Sequence, residues 1–275
     1  MRAWGKKKIA PAVIIGIFLA ITGFPFYLMF VGAFKPNMAL VLIPPDINPF
    51  MNNVTTNFTH VVFKSDIFLW MGNSFLVSGM VALFTMFIAA TAGYVLARIN
   101  FPFNNLIFVV VIITMIMPRQ ILLIPNFLVA LNLGLVNSLF GVIVTTVAPA
   151  FGIFLCRQFM LNIPKEMSEA AEIDGCNEFT TFLHIIIPMS LPALGAIGIF
   201  AFFGAFNDYL WQLVMISDKN LQTIPIGIAF FAQKAVGKLG YQLMTALIAT
   251  VPLLALFIAC QKFFIKGITM GSVKG

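Results

Sequence analysis

Charge is scarce in this sequence: 9% of the 275 residues are charged, and Asp and Glu together number nine. A water-soluble domain carries about 25% charged residues, so a soluble globular fold is excluded. Cysteine is scarce too, and Cys156, Cys176 and Cys260 show no metal-ligand spacing; they read as small core or loop residues kept as thiols in a reducing compartment. The two histidines, His60 and His184, have no partner at ligand spacing, which leaves metal binding and acid–base chemistry without a foothold. No GxxxxGK[ST] stretch occurs, so the chain cannot hydrolyse a nucleotide through a P-loop of its own.

Apolar side chains take the place of charge: 61% of residues are hydrophobic and 31 are Phe. About 20 consecutive apolar residues cross a bilayer core as a helix, and six runs qualify, at about residues 9–34, 67–96, 105–129, 137–156, 186–214 and 242–264. The composition and these runs predict an all-α polytopic membrane protein with about six transmembrane helices in a single domain, 1–275. As a helix the first run reaches about 39 Å, too long for the apolar centre of a signal peptide, so it is read as a retained crossing. Residues 35–66, with several Pro and Asn, are expected as an external loop carrying a short helix on the membrane. The stretch ISDKNLQTIPIGIAFFAQKAVGKLGYQ is expected as a second external loop that dips into the membrane or rests on it. Pro118 and Pro125 interrupt the third run, and Arg119 between them either snorkels to the outer interface or faces a cavity; its length and the loop-like LNLGLVNS that follows favour the interface.

The net charge of +7 does not read as nucleic-acid binding, because the basic residues stand singly or at the ends of apolar runs. With six crossings, ten of the sixteen Lys and Arg fall on the side of the two termini, among them Arg2, Lys6, Lys7, Lys8, Arg98 and Arg157. The positive-inside rule makes that side cytoplasmic.

Five of the nine acids, Glu166, Glu169, Glu172, Asp174 and Glu178, crowd into thirteen residues. Pro164 suits the first position of a helix, Gly175 is placed to close it in the left-handed conformation, and Asn177 to cap a second helix that runs into the membrane. The prediction is a helix, a glycine corner and a helix. Spacing by three sweeps Glu166, Glu169 and Glu172 over one broad face, while Met167, Ala170 and Ala171 offer a small, smooth patch. Charge alone leaves two readings open, an ordinary solvated loop and a docking surface.

The order Glu169, Ala170, Ala171, then Asp174 and Gly175, then Phe182, Ile185 and Pro188 resembles the cytoplasmic motif of permease subunits in bacterial binding-protein-dependent ABC importers. FNDYLWQLV (Phe206–Val214), LQTIPIGI (Leu221–Ile228) and GITMGSVKG (Gly267–Gly275) extend the resemblance toward the carbohydrate branch, in particular its maltose-permease-like second subunit. Cys176 stands where Ala is commoner and Gln212 where Pro is commoner, which leaves the bend and polar lining of the fifth helix open.

The resemblance implies an ABC importer type I permease fold, with a permease core at about 67–266 and a coupling loop at about 163–186 that docks in a groove of a separate ATPase. Glu169 would make the polar contact, Ala170 and Ala171 would permit close packing, Asp174 would belong to the same surface, and Gly175 would make the corner. A cytoplasmic tail, 267–275, would place Gly271, Ser272, Val273, Lys274 and Gly275 between two ATPase subunits. The implied partners are a second homologous permease subunit, the two ATPase subunits, an extracytoplasmic solute-binding protein and membrane lipid, with no nucleic acid. No cofactor would be bound by this chain, ATP and Mg being held by the ATPase. The chain would sit in the bacterial cytoplasmic membrane with both termini cytoplasmic and move a carbohydrate, a di- or oligosaccharide, by alternating access. Two alternatives stay open: a self-sufficient secondary transporter or channel, and the same role with a non-sugar cargo such as a glycerol phosphoester. A membrane enzyme would need converging nucleophile, base or metal ligands, which the crossings lack.

Translocation-path candidates are the polar residues within crossings: Asn73 and Ser74 in the second, and Asn207, Asp208, Tyr209, Trp211 and Gln212 in the fifth. An ionised carboxylate in hydrocarbon is costly, so Asp208 is expected to face protein or water. Aromatic rings beside amides suit sugars. For each residue singly, however, a structural role is the simpler reading: Tyr209 and Trp211 in the interfacial belt, Asn73 capping or pairing helices.

Overall fold

The structure, a computed structural model, describes the backbone of residues 6–36, 47–48, 54–234 and 239–270. The predicted tail contact Gly271–Gly275 lies outside the described residues. Every regular element described is helical. The chain divides into two compact units, one drawn from Met1–Phe68 and Ile226–Leu253, the other from Leu69–Pro225 and Leu254–Gly275.

In the first unit, helix α1 (Lys6–Ala33) leaves every side chain from residue 11 to 27 exposed, an arrangement that suits a lipid solvent. Its last carbonyls are taken up by Asn57 on α2 (Val54–Phe63), whose buried amide donates to the carbonyls of Ala33 and Lys35 at 2.8 Å each. His60, one turn on, stacks flat on Tyr241 of α13 (Leu239–Met270) with ring centroids 4.1 Å apart.

Four helical stretches are long and apolar enough to cross a bilayer: Pro11–Ala33, Ile67–Arg98, Glu178–Phe206 and Leu239–Lys262. Two further crossings are bent pairs, which brings the total to six if each pair counts once. The third predicted run, 105–129, is therefore not a continuous helix. It divides into α4 (Asn104–Ile116) and, after a 3₁₀ turn at Arg119–Leu122, α5 (Leu123–Asn132), with a bend of 91°. The cause is Pro118, which lacks an N–H and holds the preceding Met117 extended at φ −71°, ψ 122°. The fourth run likewise bends by 47° between α6 (Leu139–Thr146) and α7 (Ala150–Leu161), ahead of and at Pro149.

The fifth run is displaced from its predicted bounds of 186–214. It begins earlier, because α9 (Glu178–Thr181), a π-helical turn (Phe182–Ile186) and α10 (Ile187–Phe206) form one stretch. It ends at Phe206, and a separate short helix, α11 (Tyr209–Met215), follows. The second expected external loop contains a 3₁₀ turn (Lys219–Leu221) and α12 (Ile224–Lys234).

The core of the second unit lies where α3 (Ile67–Arg98), α7 and α10 meet. Ala89, Tyr94, Cys156, Met160, Ile186 and Ile197 are buried there together. Small residues set the spacing: a Cβ on Gly93 would stand 2.5 Å from that of Cys156, and one on Gly152 would stand 2.9 Å from that of Ala89. Lipid gives no hydrophobic drive for helices to associate, so this close backbone approach supplies van der Waals contact instead. Cys156, completely buried, is a packing residue.

Candidate functional site

The acidic stretch folds as its local signals predict. Helix α8 (Lys165–Ile173) starts one residue after Pro164, which occupies the cap position rather than the first helical one. At its other end Gly175 adopts φ +83°, the left-handed conformation that glycine reaches without penalty. The amide of Cys176 donates to the carbonyl of Ala171 at 2.9 Å and that of Gly175 to Glu172 at 3.0 Å, the paired bonds of a Schellman closure. Asn177 then caps α9, its side chain accepting from the amide of Thr180 at 2.8 Å.

This elbow exposes Glu166, Glu169, Glu172 and Asp174 together with Ala170. Large apolar side chains stand among the acids: Ile173 is 87% exposed and Phe179 69%. Ala171, in contrast, is buried, so one of the three residues of the smooth patch read from the sequence turns inward. The fifth acid also differs, since the carboxylate of Glu178 accepts a hydrogen bond from the hydroxyl of Tyr94 on α3.

Five of the seven translocation-path candidates fall into two groups. Asn73, Ser74 and Gln212 are buried and hold the chain together. Asn73 donates to the carbonyls of Asn220 and Gln222 at 2.9 and 2.8 Å, and the hydroxyl of Ser74 accepts from the amide of Ile224 at 2.8 Å, at the start of α12. Gln212 donates to the carbonyl of Ala205 at 2.7 Å across the break between α10 and α11, and accepts from the hydroxyl of Thr223. Asn207 is exposed and bonds back to the carbonyl of Phe203 at 2.9 Å; Tyr209 is half-buried. Nearby, Asn137 accepts from the amides of Ser217 and Asp218 at 3.1 and 2.8 Å, tying the α5–α6 turn to the end of α11.

Asp208 and Trp211 belong to the second group. Asp208 caps α11 through the amide of Trp211 at 3.3 Å, and the indole of Trp211 donates to the hydroxyl of Thr145 at 2.8 Å. Both line a cavity of about 620 Å³, with Arg119, Gln120, Asn126 and Thr145 among its other polar walls. Its size falls in the range of small-molecule sites. A smaller cavity of about 220 Å³ shares Arg119 and Thr146 with it and adds Thr85. The hydroxyls of Thr85 and Thr146 are buried and have no hydrogen-bond partner among the described residues. Arg119 thus lines both cavities, the second of the two placements open to it from the sequence, while its side chain stays exposed. Gln120, Asn126 and Thr145 escaped the sequence reading, because only the bend at Pro118 brings them beside α11; the proline was the available signal.

Residues 89–269 match the family described as binding-protein-dependent transport system inner membrane component. The chain belongs to this family. Among its relatives, the arabinooligosaccharides transport system permease protein AraQ of Bacillus subtilis (strain 168) is 31% identical over 92% of this chain and 90% of its own length. AraQ of Halalkalibacterium halodurans is 32% identical over 98% of this chain and the whole of its own. The sn-glycerol-3-phosphate transport system permease protein UgpE of Salmonella typhi is 30% identical over 93% of each chain. A solved chain from a bacterial ABC transporter involved in the import of the acidic polysaccharide alginate superposes with a TM-score of 0.83, covering 96% of this chain and 98% of that one. At 19% identity that likeness establishes a shared fold. The family segment contains the elbow and the residues of the larger cavity, while Asn73 and Ser74 precede it.

Proposed function

We propose that this inner-membrane component is one permease subunit of an ATP-driven importer of carbohydrate, a di- or oligosaccharide, coupled to a separate ATPase through the acidic elbow. The observation that carries the reading is the elbow itself: a corner held rigid by its Schellman closure, presenting exposed acids around Ile173 and Phe179 within a family-matched segment. Glu169, Asp174 and Ala170 face the ATPase, Gly175 sets the angle, and Ala171 allows α8 to sit close to its own chain. The tail Gly271–Gly275 reaches the ATPase pair as a second contact. ATP and Mg are held by that partner, a homologous permease completes the passage, and a solute-binding protein delivers cargo from outside, with both termini cytoplasmic.

The elbows move when the ATPase subunits close on ATP, and the paired permeases rock between inward- and outward-facing states. Only ligands that bind the two states differently drive such a shift, which assigns that task to ATP and to the loaded binding protein. The cavity beside Trp211 is this chain's share of the passage: amides and hydroxyls for sugar hydroxyls, an indole for the C–H face.

Reconstitution with the partner permease and ATPase tests the reading. Uptake of an arabino-oligosaccharide into proteoliposomes is expected only with ATP inside the reach of the ATPase. Flux through the lone chain with no nucleotide present would overturn it in favour of a self-sufficient transporter. A phosphoester cargo is the second reading, favoured by Arg119 in the cavity and by the relatives named for sn-glycerol-3-phosphate; competition of uptake by glycerol 3-phosphate decides between the two.

A further inference from the structure

We infer that Tyr94 and Arg98, on the last turn of α3, clamp the two ends of the acidic elbow and pass its displacement into α3. The inference rests on the docking reading above and adds the route by which the elbow's movement enters the membrane helices. Residues four apart lie on one helix face, and this face meets the elbow at both its entrance and its exit. At the entrance, the Arg98 guanidinium donates to the carbonyl of Met160 at 2.8 Å and to that of Ile163, next to Pro164 where α8 begins. The first of these also accepts from the amide of Ile163 at 3.3 Å, so the guanidinium reinforces the turn that leads from α7 into α8. At the exit, the Tyr94 hydroxyl donates to the carboxylate of Glu178, the first residue of α9, and its ring lies 4.9 Å from that of Phe182.

A third bond runs the opposite way. Arg157, near the end of α7, donates through Nε to the carbonyl of Leu96 at 3.1 Å, with its guanidinium 3.8 Å over the ring of Phe108. Each helix therefore caps the other's end, and α3 and α7 are fixed in register where the elbow departs. Without the clamp, a force on α8 would be absorbed by bending on either side of the closed corner, at Pro164 and in the π-helical turn. With both ends held on one face of α3, the same force moves α3 as a rigid lever. Tyr94 and Arg98 are positioning residues, and Glu178 serves the clamp rather than the docking surface.

The experiment uses the assembled complex of this chain, its partner permease and the ATPase in proteoliposomes. Spin labels at two exposed positions, Lys165→Cys in the elbow and Phe87→Cys on α3, in a background without the native cysteines, report their separation with and without ATP. In the otherwise unaltered complex the separation is expected to stay fixed. Tyr94→Phe is expected to let it change on adding ATP, and to cut uptake of arabino-oligosaccharide per ATP hydrolysed at least about fivefold, the low end of coupling between two sites, while ATPase association persists. Glu178→Ala, at an exposed residue, should reproduce that result; Glu178→Gln, which keeps an acceptor for the tyrosine hydroxyl, should restore the fixed separation. The clamp is overturned if Tyr94→Phe and Glu178→Ala leave the separation fixed, or if hydrolysis and uptake fall in equal proportion. A complex that never associates with an ATPase sinks the importer reading, and the clamp with it.

Discussion

At the elbow, Glu166, Glu169, Glu172 and Asp174 stand exposed, as do Ile173 and Phe179; at the break after α10, Asn73, Ser74 and Gln212 are buried, the first two bonded to backbone of a distant segment and Gln212 to backbone across the break. Both regions are polar islands in an apolar chain, and composition alone does not distinguish them. Burial and partners do. A buried amide that satisfies backbone carbonyls holds a fold together, whereas exposed acids beside exposed apolar groups contribute little to folding, as the proposed docking role requires. Stability should therefore be concentrated at the break and transport at the elbow.

The comparison can be broken by four substitutions. The largest loss of stability is expected from Gly141→Ala, beside the Asn137 turn that holds the end of α11. Its new Cβ would fall 1.8 Å from the carbonyl oxygen of Leu135, so backbone must move, at a cost of about 3 kcal/mol. Unfolding of the purified chain in detergent measures it, and an unchanged midpoint would show the turn to be compliant. Gln212→Ala removes two hydrogen bonds, leaving the carbonyl of Ala205 with the 3.3 Å bond from the amide of Asp208 and the buried hydroxyl of Thr223 without its acceptor, for about 2 kcal/mol by the same assay.

At the elbow, Gly175→Ala meets open space and has only the left-handed backbone to contend with, about 1 kcal/mol. Smallest in stability is Glu169→Ala, within about 0.5 kcal/mol as for other exposed positions. Its uptake should nonetheless fall at least about fivefold in the reconstituted complex. If Glu169→Ala transported normally while Gln212→Ala folded normally, the division between the two regions would be wrong.

What could be read from the sequence follows the same division. The elbow is written locally: a proline before the helix, a glycine for the corner and an asparagine for the next cap all lie within fourteen residues, 164–177, and each acts on backbone within a few residues of itself. The helical class and four of the crossings were legible for a similar reason, since long apolar runs need no partner to be recognised. The break was not, because Asn73 finds its acceptors at Asn220 and Gln222, and no local pattern encodes that pairing. Arg119 shows the limit within a single motif: Pro118 was visible as a break, but not that the chain turns by 91° there, with α4 packed on α7 and α5 on α6 and α11, which puts the arginine at a cavity. Tyr94 and Glu178 lie on separate helices, and neither residue alone announces the other.

The π-helical turn at Phe182–Ile186 carries a last consequence, for phase. A wider turn holds an additional residue, and one residue is about 100° of helical rotation. A helical wheel drawn unbroken from Phe179 into α10 would therefore assign faces wrongly beyond the turn. Removing one residue there would let the stretch relax to ordinary winding and swing Phe179 and Ile173 away from whatever they are aimed at, leaving every side chain chemically intact but pointed in the wrong direction.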